Sequence, residues 1–138
     1  MTYFIKTSEQ DLDNLIEGFF WAGAGGNLDR VLIGALNGQG FGCDFYGLFL
    51  KGDDWDTETE SYYFPTPIDD KHGLIECTAF VDDPVNDSEI GYIPLEMLYK
   101  KYKELIDIQD EDEYPYSASE IKEIRKLLAQ VKEKWQIK

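Results

Sequence analysis

Between Gly73 and Val81, Ile75, Cys77, Ala79 and Val81 alternate with Leu74, Glu76, Thr78 and Phe80. Both faces of this extended segment are largely apolar. The pattern predicts an interior strand covered on both sides, because a half-solvated strand would alternate apolar with polar. Three shorter segments join it. Phe41–Leu50 is aromatic and short, like a buried strand, and Tyr62-Tyr63-Phe64 reads as a strand stub closed by Pro65 and Pro67. Ile90–Ile93 makes a fourth, ending at Pro94.

Helical patterns flank these strands. Ser8 reads as an N-cap, and Leu12, Leu15, Ile16, Phe19 and Phe20 share one face of a helix over 8–21, ended by Gly23, Gly25 and Gly26. Asn27 can cap a shorter helix with Leu28, Val31, Leu32 and Ala35 inward and Gly38 as its stop. Pro94 suits the first position of a helix carrying Leu95, Leu98, Tyr99, Tyr102, Leu105 and Ile106, broken by the acidic run 107–113. Ser117 and Glu120 form a capping-box pattern before Ile121, Ile124, Leu127, Leu128, Val131 and Trp135. The expected fold is α+β: one domain over 1–138, with a small antiparallel sheet of about four strands flanked by N-terminal and C-terminal helices.

The charge is concentrated. Of 28 acids and 13 bases, residues 40–113 hold twenty acids and five bases, while 114–138 hold three acids and six bases. The middle alone carries the net charge of −15. Its densest runs are 53–60 and 107–113, with the pairs Asp69-Asp70 and Asp82-Asp83 between them. An apolar fraction of 43% still provides for a packed core. Direct nucleic-acid binding is excluded on charge, since duplex affinity comes mainly from Lys and Arg neutralising phosphates. No run is long and apolar enough for a membrane span, and the opening MTYFIKTSEQ has no signal-like region, so the expected address is cytoplasmic.

Motifs for chemistry do not assemble. Cys43, Cys77 and His72 lack zinc-ligand spacing and read as two buried thiols and a turn histidine. The run from Asp54 starts like a calcium loop, but it has Thr59 where glycine is needed and Pro65 where glutamate is needed. Gly23-Ala24-Gly25-Gly26 and Gly38-Gln39-Gly40-Phe41-Gly42 lack the partners of a phosphate loop and read as turns. No catalytic, cofactor or metal residues are assigned, and no enzymatic activity is expected.

What the residues do offer is a surface for a cationic partner. Clustered carboxylates can stand in for phosphate in a basic active site through charge-assisted hydrogen bonds, and aromatic anchors supply the durable contact. The candidate partner-binding set is Asp53, Asp54, Trp55, Asp56, Glu58, Glu60, Tyr62, Tyr63, Asp69 and Asp70.

The order of features resembles the immunity proteins of bacterial contact-dependent growth inhibition systems, especially those that guard against ribonuclease toxins. The similarity lies in the acidic middle with its Tyr-Tyr-Phe segment, in Tyr92-Ile93-Pro94-Leu95-Glu96-Met97-Leu98-Tyr99-Lys100-Lys101-Tyr102, and in Ser119–Leu128, and so covers roughly the second half. The resemblance implies a cytoplasmic protein that binds one cognate toxin domain and blocks it. Two alternatives remain: a non-catalytic bacterial interaction adaptor whose partner is not a nuclease, and a small hydrolase using two carboxylates.

Overall fold

The computed structural model describes residues 2–51, 64–112 and 116–138, and for 109–112 the backbone alone. In chain order the elements are β1 (Thr2–Lys6), α1 (Glu9–Ala22), a 3₁₀ turn (Ala24–Gly26), α2 (Leu28–Leu36), β2 (Phe41–Cys43) and β3 (Tyr46–Phe49). Then come β4 (His72–Cys77), β5 (Asp87–Pro94), α3 (Leu95–Asp112) and α4 (Ala118–Lys134). The fold is α+β. Its sheet is open and mixed, in the order β1-β5-β4-β3-β2. Strand β1 runs parallel to β5, with Ile5 opposite Ile90, and the other pairs are antiparallel.

The expected antiparallel sheet therefore gains a fifth strand and a parallel edge. Tyr3-Phe4-Ile5 is too short an apolar run to announce a strand, and its partner lies more than eighty residues away. The segment 41–50 is two strands, because Asp44 and Phe45 turn the chain and pair Cys43 with Tyr46. Strand β4 stops at Cys77, four residues before its expected end; the Thr78 amide still donates to the Phe45 carbonyl at 2.9 Å, after which Ala79 and Phe80 form a turn. Phe64 lies in a bend rather than a strand, and Tyr62 and Tyr63 fall outside the described residues. Helix α3 continues through the acidic run to Asp112. The break expected over 107–113 comes only at the far end of that run, and Lys103 and Arg125 each reach the Asp107 carboxylate at 3.0 Å.

As expected, β4 is covered on both sides. Ile75 and Cys77 face the helices and Leu74 faces the opposite layer. Helix α1 lies across β3, β4 and β5, and α4 closes the helical side by packing on α2 and α3. The opposite face is covered by the chain at 64–68. Phe64 packs 5.2 Å from the Phe49 ring and 6.0 Å from that of Tyr3. The Tyr92 hydroxyl donates to the Thr66 carbonyl at 2.6 Å and accepts from its amide at 3.0 Å.

Local signals set the helix starts. Ser8 accepts from the Asp11 amide, and Ser117 with Glu120 completes a capping box. Asn27 stands before α2 as expected, but its side chain donates backward to the Gly23 carbonyl at 2.8 Å. The Leu28 amide is satisfied instead by the Tyr116 hydroxyl at 2.9 Å, which also donates to the Gly25 carbonyl. Pro94 ends β5 and α3 starts one residue later, so the proline stands just outside the helix.

Gly40 admits no side chain, since a Cβ there would overlap the backbone carbonyl of Leu48 in β3, on the side where β2 pairs. Gly40→Ala is expected to cost about 1–3 kcal/mol in chemical denaturation, as overpacking against an immovable neighbour does; an unchanged midpoint would contradict that close approach. Tyr102 gives the opposite expectation. It is fully buried, edge-on to Phe20 at 4.9 Å, and its hydroxyl has no hydrogen-bond partner among the described residues. Tyr102→Phe removes an unsatisfied polar group and should stabilise by about 1 kcal/mol, read as a higher urea midpoint at unchanged m-value. A lower midpoint would show that the hydroxyl is bonded after all.

Candidate partner-binding surface

Of the ten residues expected to meet a partner, Asp53, Asp54, Trp55, Asp56, Glu58, Glu60, Tyr62 and Tyr63 lie outside the described residues. Buried residues flank the run that contains them. Leu50 before it is buried in the helix-side core, and Phe64 after it is buried in the core of the opposite face.

Asp69 and Asp70 lie together at the turn into β4. Asp69 accepts from the Lys71 amide at 2.8 Å, and its Oδ1 lies 2.9 Å from His72 Nδ1. These bonds, the histidine first, hold its carboxyl below the usual carboxylate range. Asp70 lies 3.2 Å from the Lys51 ammonium. His72, expected in a turn, is the first residue of β4. Both aspartates line a cleft of about 860 Å³ with Trp135 and the C-terminal residues. Lys51, Lys71, Lys134 and Lys138 line it too, against Glu96 as the only further acid among the described residues, so the cleft has mixed charge.

A second concavity, of about 830 Å³, opens where α1 meets the β2–β3 turn, the residues after β4 and the β1–β5 edge. Its character is different. Trp21, Phe45 and Phe80 line it while remaining 90%, 59% and 76% exposed. Asp11, Glu17, Asp44 and Glu89 surround them, with Lys6 the single base of the lining among the described residues. Lys6 lies 3.6 Å from Glu89, and Glu17 is bonded by Lys101 from α3 at 2.9 Å. Asp11 and Asp44 have no cationic partner among the described residues.

The groove is built from the elements beneath it. Tyr46 lines it with its ring pressed over Gly18 of α1, where a Cβ would overlap the hydroxyl. Burial raises the pKa of that phenol, and the Cys77 thiol beside it raises it further. Asp44 occupies the first turn position with φ of 38°, left-handed backbone that aspartate tolerates better than most residues. One part of this site was open to sequence reading: Trp21 falls off the 12-15-16-19-20 face of α1 and must point outward. Phe45 and Phe80 gave no such signal, since each sits inside an apolar run that reads as buried strand.

Cys43 and Cys77 are free thiols, half-buried and buried respectively. Among the described residues no three His, Cys, Asp or Glu side chains gather to hold a metal ion. No described helix is long and apolar enough to cross a membrane. Comparison of the chain with protein-family models, with curated proteins and with solved structures finds no match.

Asp107, first of the second acidic run, is committed internally by Lys103 and Arg125, and these two bonds hold its carboxyl below the ordinary range. A depressed pKa contributes stability above the unfolded value, near 3.9, that is lost as pH falls through the folded one. At pH 7 Asp107→Asn should be less stable than the native chain by less than about 1 kcal/mol, because the pair is surface-exposed. The difference should stay level above about pH 5 and close on acidification towards pH 3. A gap that widened in acid would reverse the assignment.

Proposed function

We propose that this chain is an immunity protein of a bacterial contact-dependent growth inhibition system. It binds a cognate cationic toxin domain, of nuclease type, in the cytoplasm of the cell it protects, and blocks it without chemistry of its own. The observation that carries this reading is charge. With 28 acids and 13 bases, complete internal pairing would still leave fifteen carboxylates without a base. Such an excess weakens the compact state by self-repulsion, and a positively charged partner relieves that cost.

A nuclease must hold a phosphodiester and so presents Lys, Arg or His at its active site. Carboxylates occupy such a site through charge-assisted hydrogen bonds and steer the encounter at low ionic strength. The resemblance of the second half of the chain to this class of inhibitor supports the same reading.

The direct test combines the purified chain with the product of the gene immediately upstream. A stable complex that abolishes its nuclease activity is the expected result; a nuclease cleaving at full rate beside excess chain would refute the proposal. Within this reading the run 53–60 steers association. Reversing Asp53, Asp54 and Asp56 to Lys should slow association with the basic partner by about tenfold or more at low salt, and the effect should shrink at high salt as charges are screened. Unchanged association kinetics would remove the run from the interface.

A further inference from the structure

We infer that the groove between α1, the β2–β3 turn and the residues after β4 is a docking site for an arginine-bearing segment of a basic protein. For the partner's sign of charge the inference rests on the function proposed above; its location and chemistry come from the groove.

Single exposed apolar side chains are ordinary on protein surfaces, but their convergence is not. Three exposed aromatic rings lie here within one concavity, from α1, the β2–β3 turn and the turn after β4. Trp21 is the extreme case, almost wholly exposed although it follows two core phenylalanines. Aromatic anchors in a concave site are the usual source of tight contact between proteins.

Charge identifies the occupant. Among the described residues four carboxylates and one lysine line the groove, so an acidic or neutral apolar segment would desolvate Asp11 and Asp44 without compensation. A cationic segment pairs with them. Asp11 and Asp44 are the foremost acceptors, because Glu17 and Glu89 already hold Lys101 and Lys6. Rings beside carboxylates favour arginine over lysine. A guanidinium stacks flat on an indole or phenyl face while its N–H groups reach sideways to carboxylates, whereas an ammonium remains more strongly hydrated. The cleft near the C-terminus lacks this character, since several of its lining groups are lysines.

The test uses the whole chain and a hexa-arginine peptide as probe, with hexa-lysine as the equal-charge control, followed by amide and indole NMR shifts. Hexa-arginine is expected to shift the Trp21 indole and the amides of 44–46 and 79–80, and to bind about fivefold tighter than hexa-lysine. Trp21→Ala should lose about fivefold in hexa-arginine affinity with an unchanged circular dichroism spectrum, as the side chain is exposed. Asp44→Asn, which suits the same backbone, should weaken binding and flatten its salt dependence. Shifts centred elsewhere, equal binding of the two peptides, or full affinity in Trp21→Ala would overturn the assignment. The two proposals fail separately. If the native chain blocks its nuclease partner and Trp21→Ala does so equally well, with hexa-arginine binding intact, the groove is wrong and the immunity reading stands. If hexa-arginine seats at Trp21 but no nuclease is inhibited, the groove stands and the immunity reading falls.

Discussion

The structure depends on the burial of β4 and β5 from both sides. Ile75 and Ile93 face the helices while Leu74 and Ile90 face away, and all four are completely buried. Two apolar faces need two covers. Helices α1 to α4 supply one, and the chain at 64–68 supplies the other with Phe64 and Ile68. The second cover is tied to the remaining strands, because Phe64 packs on Phe49 of β3 and Tyr3 of β1. The acidic run 52–63 thus joins a residue buried in one core to a residue buried in the other.

Charge is handled by exclusion from these cores. Apart from tyrosine hydroxyls, Ser88 is the only polar side chain buried among the described residues, and it donates to Glu76 at 3.0 Å. Several bases are used to fasten helices: Lys101 ties α3 to α1 through Glu17, and Arg125 ties α4 to α3 through Asp107. Each such bond is worth little by itself. Together they draw on the small stock of bases, so the surplus carboxylates are left to solvent or to a partner. The two concavities reflect this division, one lined by several lysines and the other by carboxylates and open aromatic rings.

What could be read from the sequence was local. Ser8, the spacing from Leu12 to Phe20, and the Ser117–Glu120 box act within a few residues of themselves, and α1 and α4 form where those signals place them. The alternation from Gly73 to Cys77 likewise established an interior strand. The failures came where a distant partner decides. The acidic run 107–113 looked like a helix stop, yet α3 ends only at Asp112, and Arg125, from another helix, pairs with Asp107 within it. Asn27 looked like a cap, yet the α2 amide is taken by Tyr116, 88 residues away. Strand β1 was invisible because its edge position follows from pairing with β5, not from its own composition.

The sequence by itself determined the helix faces, the doubly apolar strand and the surplus of negative charge, because periodicity and charge are properties of neighbouring residues. Only the tertiary structure decided which aromatics stayed in water. Phe45 and Phe80 belong to apolar runs that resemble buried strand, and they are exposed because the chain turns at both, between β2 and β3 and just after β4. Their meeting with Trp21 among the carboxylates has the same cause. Pairing over long distances sets which side chains share a surface, and no window along the chain contains that information.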